Sequence, residues 1–217
     1  MGITAKWGKA DFSQLKVLQE RLQKLQNTDI DKFCEDVSKA LAARLLSLVI
    51  RRTPVGTAPK CKGAMYVNKV GVDGEKKTFF TAAGAEFAKI APYWEGYTGG
   101  TLRRGWTAKT HEEAAKGSGN PTAEQALQYA QSLPVEKSGK YFIVRVVNPV
   151  KYASYVEFGH RQTRGRYVPA LGKSLSQSWV DGCYMLALSE DKLETAAPKI
   201  IEKMLDNKLR EVFNVGD

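Results

Sequence analysis

Glu157 is the side chain whose surroundings first raise the question of chemistry. It stands in Asn148-Pro149-Val150-Lys151-Tyr152-Ala153-Ser154-Tyr155-Val156-Glu157-Phe158-Gly159, an apolar stretch with rings at every third position. In a helix that spacing sets Tyr152, Tyr155 and Phe158 along one side. A carboxylate inside such a patch needs a cation or water, because a stranded buried charge is strongly destabilising. The basic candidates are Arg161, Arg164 and Arg166 just downstream, and Arg103 and Arg104 from further back. Two readings stand. Glu157 makes a structural salt bridge in a core helix, or Glu157 and these arginines form part of a subunit–subunit contact. As an acid–base catalyst Glu157 lacks a second acid, a metal ligand or a nucleophile beside it. A hydrolase centred on it is the weakest reading, and the chain is expected not to be an enzyme.

Other reactive residues are scattered. Cys34, Cys61 and Cys183 are far apart and odd in number, which is neither a disulfide framework nor a zinc spacing. His111 and His160 have no ligand-like neighbours. No phosphate-binding Gly-x-x-x-x-Gly-Lys-[Ser/Thr] loop occurs, and no Gly-x-Gly-x-x-Gly, Gly-x-Ser-x-Gly or His-Glu-x-x-His. Lys116-Gly117-Ser118-Gly119 is too short for a nucleotide loop. Neither a metal nor a cofactor is expected. Trp94, Trp106 and Trp179 are too dispersed to make a base-stacking platform.

The 217 residues carry a formal charge of +10, and they are 43% hydrophobic and 26% charged. Such a chain suits one domain with a core of its own. Residues 51–110 hold eleven Lys/Arg against four Asp/Glu, so most of the excess charge sits there. A basic stretch of this kind draws polyanions without reading sequence, meets an acidic protein surface, or is simply solvated. No apolar run approaches the ~18 residues of a membrane span. The first residues lack the apolar stretch of a signal peptide and the Ser or Thr of a myristoylation site, so the expectation is a protein assembled inside a cell.

The elements that must position these residues follow from periodicity. Asp11–Leu25 reads as an amphipathic helix on Leu15, Leu18, Leu22 and Leu25. Thr28 then caps a longer helix running to Arg52, with the stripe Ile30, Phe33, Cys34, Val37, Leu41, Leu45 and Leu48. Pro54 ends it. Ala64–Val70 and Glu75–Ala82 bracket Val72-Asp73-Gly74 as a hairpin, and Ala83–Ile90 follows as a short helix. Leu102–Ala108 reads as a strand with Leu102, Arg104 and Trp106 on one face. Glu112–Asn120 reads as a loop. Thr122, with Gln125 three residues on, caps a helix through Ser132. Tyr141–Val147 is the strongest strand. Ser189-Glu190-Asp191 starts a C-terminal helix whose apolar stripe runs from Leu193 to Phe213, with Pro198 inside it. The predicted fold is α+β: a small, mostly antiparallel sheet on Leu102–Ala108 and Tyr141–Val147, packed against the long helix of the N-terminal half. The C-terminal helix flanks it, and an inserted β-hairpin region projects from it.

Three segments of this sequence resemble a known family. Thr53-Pro54-Val55-Gly56, Gly99-Gly100-Thr101-Leu102-Arg103-Arg104-Gly105-Trp106 and Asn148–Arg161 are similar to the tail-component proteins of tailed phages. These are the head–tail neck or tail-completion proteins of lambdoid phages and contractile-tailed prophages. The run Met185–Phe213 resembles the contractile-tail branch. This sequence departs from the pattern in an insertion at about 57–98 and a longer loop at about 109–140, so 1–217 reads as a single domain with two elaborations. The resemblance implies a structural virion protein, assembled in the bacterial cytoplasm, with no enzymatic activity and no cofactor. It implies a homo-oligomeric ring, expected as a hexamer, at the top of the tail. The neighbours would be a head-side connector or stopper and a tail terminator or tail tube protein, with packaged DNA passing through the hole. The arginines Arg103, Arg104, Arg161, Arg164 and Arg166, with Glu157, are then the expected subunit interface. The lysines Lys60, Lys62, Lys69, Lys76 and Lys77 are the candidates to face DNA phosphates without reading bases. The alternative from another class is a basic nucleic-acid-binding accessory protein.

Overall fold

Helix α1, Ile30–Arg52, is the axis on which the chain packs. The structure, a computed structural model, describes residues 23, 30–70 and 75–213. Most of the predicted helix Asp11–Leu25, the Thr28 cap and the hairpin turn at Val72-Asp73-Gly74 lie outside the described residues. Along the second half of α1, Ala42, Leu46, Leu48, Val49 and Ile50 are all buried. Of the predicted stripe, Val37 and Leu48 are buried, Phe33, Cys34, Leu41 and Leu45 are half-buried and Ile30 is 69% exposed, while the buried face widens to Leu46 and Val49, both at 0%. The reason is that α1 is enclosed on several sides at once. It meets α5 (Ala123–Ser132), the C-terminal helix α7 (Ala187–Phe213) and strand β4 (Tyr141–Val144). A single stripe cannot serve three neighbours.

Between them run β1 (Tyr66–Val70), β2 (Lys76–Phe80), α2 (Ala82–Ile90), α3 (Thr101–Arg104), α4 (His111–Lys116), β3 (Val135–Ser138), α6 (Ala153–Phe158) and β5 (Gly159–Arg161). Then come β6 (Tyr167–Val168), β7 (Lys173–Ser174) and β8 (Trp179–Asp181). The fold is α+β, and all its described strands sit in two-stranded antiparallel ribbons: β1–β2, β3–β4, β5–β8 and β6–β7. The β5–β8 and β6–β7 ribbons are two stretches of one long hairpin arm. They are linked by bonds from the Gly165 amide to Leu175 O and from the Leu175 amide to Arg166 O.

The small sheet predicted on Leu102–Ala108 does not form. Gly99 and Gly100, at φ +68° and +74°, turn the chain into α3, and a 3-10 turn, Gly105–Thr107, carries it on. Leu102, Arg104 and Trp106 are buried because protein surrounds this segment, not because they share a strand face. Strand β4 pairs instead with β3 and ends at Val144. The predicted loop at Glu112–Asn120 begins as helix α4, where Thr110 Oγ1 accepts the Glu113 amide and Glu113 Oε2 accepts the Lys109 amide. Helix α5 carries the predicted capping box: the Thr122 amide donates to Gln125 Oε1, and the Gln125 amide to Thr122 Oγ1.

The core joins Leu46, Val49 and Ile50 to Leu102, Trp106 and Met185. Each such side chain contributes about 1.5–3 kcal/mol relative to exposure. Leu46→Ala should therefore cost about 2–5 kcal/mol, seen as a lowered urea midpoint at unchanged slope. Ile30→Ala should stay within about 0.5 kcal/mol.

Candidate functional site

The three motif segments converge. Thr53, fully buried, closes α1 by donating its hydroxyl to Val49 O at 2.7 Å. The Thr53 hydroxyl oxygen, Oγ1, in turn accepts Trp106 Nε1 at 2.7 Å. The Thr53 carbonyl accepts the Arg103 guanidinium, from Nε at 3.0 Å. Asn148 reaches the other side of the same turn, donating from Nδ2 to Leu102 O at 2.9 Å. A Cβ at Gly105 would sit 2.2 Å from Asn148 Oδ1, so only glycine admits this approach. Thr-Pro, Arg-Arg-Gly-Trp and Asn-Pro thus lock to one another through side chains held in fixed geometry.

Arg104 is spent inside. Its Nε donates to Ala114 O at 2.8 Å, and Nη1 to Gly99 O at 2.9 Å and Gly119 O at 3.1 Å. No carboxylate pairs with it among the described residues. The guanidinium fork is suited to carbonyls arriving from several directions. Glycines build the cage: a Cβ at Gly100 would lie 2.9 Å from Arg104 Nη1, and one at Gly117 2.8 Å from Cδ.

Glu157 is 5% exposed, and no arginine among the described residues partners it. Its carboxylate accepts the Leu186 amide at 3.0 Å and the Ala187 amide at 3.1 Å, at the start of α7. The start of a helix offers unpaired amides and a positive dipole end, so an anion is well placed there. The Glu157 carbonyl in turn accepts the Tyr184 amide at 3.1 Å, and Val156 O accepts that of Cys183 at 2.8 Å. The end of α6 and the start of α7 therefore cap each other. Tyr184 takes a positive φ of 47° to make this fit, and a Cβ at Gly182 would strike Glu157 O at 2.2 Å. Ser189, the predicted cap, lies inside α7 and donates to Met185 O at 2.6 Å.

With its charge turned inward, the motif turns its rings outward. Tyr155 is 60% and Phe158 63% exposed, and Tyr152 is also exposed, so these are not the core contacts that their spacing suggested. Tyr155 stacks obliquely on His160, with ring centroids 5.8 Å apart. Trp179 and Tyr184 are exposed nearby in sequence and pairing. Arg161, Arg164 and Arg166 are exposed along the hairpin arm. Partial covering of the Tyr152 phenol, helped by the neighbouring Tyr97, pushes its pKa up. Burial likewise raises Tyr129, with Glu113 acting in the same direction. Glu112, at the first turn of α4, is held low chiefly by its own backbone amide.

The basic residues fall in two places. Lys69, Lys76 and Lys77 ride on the β1–β2 ribbon, where Lys69 stands directly opposite Lys77 and Glu75 lies 3.6 Å from Lys77. Lys60 and Lys62 lie before it, in a groove shared with α2 and the hairpin arm. Among the described residues no group of His, Cys, Asp and Glu could hold a metal, and no helix is long and apolar enough to cross a membrane. The T-x-x-E pattern at Thr110 and Glu113 was available as a helix start. The pairing of Glu157 with two backbone amides carries no sequence signal.

Arg104→Lys should cost at least about 2 kcal/mol in denaturant titrations, since one ammonium leaves dry carbonyls at about 1–3 kcal/mol each. Arg161→Lys should stay within about 0.5 kcal/mol.

Compared with known proteins, residues 16–159 match the family described as "Bacteriophage HK97-gp10, putative tail-component". No curated protein and no solved structure matches. The match covers more than half of the chain and ends at Gly159, the close of the motif region around Glu157. The chain belongs to the HK97-gp10-like family of bacteriophage tail components.

Proposed function

We propose that this tail component is a structural neck protein that completes the tail and joins it to the head. It forms a homo-oligomeric ring, a hexamer, at the top of the tail, between a head-side connector or stopper and the tail terminator or tail tube. The ring is built in the host cytoplasm and stays in the virion, with DNA passing through its hole and no catalytic step. Residues 1–217 act as one domain, with 57–98 as an insertion and 109–140 as a longer loop.

The observation that carries this reading is the outward face of α6. A motif that spends its carboxylate inside while leaving Tyr155 and Phe158 exposed presents an aromatic surface to solvent. Aromatic side chains and arginine are the residues on which protein contacts concentrate. A closed ring needs two different surfaces on each copy. The α6 rings with Arg161, Arg164 and Arg166 supply one of them. Arg103, Arg104 and Glu157 hold that surface in place from within and do not reach across it. Lys69, Lys76 and Lys77 face the channel. Lys69 stands directly opposite Lys77, which Glu75 offsets at 3.6 Å, so the ribbon keeps a net positive charge that suits phosphates. The same observation supports the rival, a free nucleic-acid-binding accessory protein, which requires salt-sensitive micromolar binding to duplex in a gel shift.

Native mass spectrometry and electron microscopy of the protein with its tail-tube partner should give sixfold rings. The Tyr155→Asp/Phe158→Asp double variant should fail to form them while keeping its melting temperature within about 3 °C, as surface changes do. Full heads joined to tails in particles lacking this protein would refute the neck role.

A further inference from the structure

The insertion does not stand free. Trp94 Nε1 donates to Ala170 O at 2.6 Å, and a Cβ at Gly172 would lie 3.0 Å from Ile90 Cγ2. These contacts bring α2 and residues 59–62 against the tip of the hairpin arm. A groove of about 480 Å³ opens between them. Phe87, Ile90, Leu171 and Tyr167 give it an apolar lining. Lys60, Lys62, Lys89 and Lys173 stand around it, against one acid, Glu86. None of the four lysines pairs with a carboxylate among the described residues. Four unneutralised ammonium groups around an apolar hollow are poorly arranged for an empty surface: the charges repel one another and the apolar lining stays wet.

We propose that this groove takes an extended acidic peptide segment of a neighbouring tail protein, with apolar side chains in the hollow and carboxylates on the lysines. Charge complementarity identifies the sign of the occupant, and the lining identifies its other half. A duplex meets proteins through phosphates and sugars, which have nothing to place against Phe87, Ile90 and Leu171. An acidic segment that alternates with Leu or Phe satisfies both, since an extended chain sends successive side chains to opposite sides. The walls come from residues 59–90 together with the hairpin tip, so the groove exists through the insertion and is a device of this chain. The proposal rests on the tail-component reading only for where the partner is found. Ring formation tests that reading separately, because peptide binding needs no ring.

The test is fluorescence anisotropy with the full chain and a labelled peptide of alternating Glu with Leu and Phe. A peptide of equal charge with Ser in place of Leu and Phe and a short DNA duplex serve as competitors. Micromolar binding of the first peptide is expected. It should weaken at least about tenfold in the Lys89→Glu/Lys173→Glu variant, and also on raising the salt, since both remove the same attraction. The Ser peptide should bind at least about tenfold more weakly, having lost the apolar contacts. A thermal melt shows whether the double variant folds, and the Ser comparison on the unaltered chain decides the matter without it. No peptide binding, equal binding of the Ser peptide, unchanged binding by a folded double variant, or displacement by the duplex at lower concentration would each overturn the proposal.

Discussion

A carboxylate buried under a helix must be answered by donors, and Glu157 is answered by the backbone at the start of α7. Charged acceptors on free amides make hydrogen bonds of about 1.5–3 kcal/mol, against the larger loss if the charge stood alone. The same residue gives its carbonyl to Tyr184. One side chain and its own peptide group therefore join the end of α6 to the entry of α7, across about thirty residues that form the hairpin arm. The left-handed backbone at Tyr184 and the tight approach at Gly182 are consequences of that junction.

Arg104 obeys the same constraint with the sign reversed. A buried guanidinium with no acid beside it is stable only if carbonyls surround it, and Gly99, Ala114 and Gly119 provide them. Thr53, Trp106, Arg103 and Asn148 complete the interior polar network. Thr53, Arg103, Arg104, Trp106, Asn148 and Glu157, all within the matched range 16–159, thus bind the chain's segments together. What they leave outside are the rings of α6, the arginines of the arm and the basic ribbon. Residues 59–90 and the tip of the hairpin arm line the groove outside this interior.

Local rules were readable wherever a short pattern decided the outcome. Thr122 and Gln125 announced α5, Pro54 followed the end of α1, and the β1–β2 hairpin and α2 fell where their composition put them. The reading failed where tertiary surroundings decided. Leu102, Arg104 and Trp106 are buried and Arg103 and Thr107 only half-buried, as the alternation suggested, yet a helical turn followed by a 3-10 turn produces that burial, not a strand. The arginines near Glu157 in sequence suggested a salt bridge, but its partners are backbone amides, which have no letter in a sequence. Regular spacing of Tyr152, Tyr155 and Phe158 pointed to a helix, which forms over Ala153–Phe158, but not to its environment, because periodicity does not say whether protein or solvent lies opposite.

The most direct measurement is residue-level hydrogen exchange at the amides of Leu186 and Ala187. First-turn amides of a helix usually exchange freely. If Glu157 clamps the entry of α7, both should exchange as slowly as the buried middle of α1 and lose that protection in Glu157→Ala, with α5 unaffected. Fast, solvent-like exchange of these two amides in the unaltered chain would contradict the account.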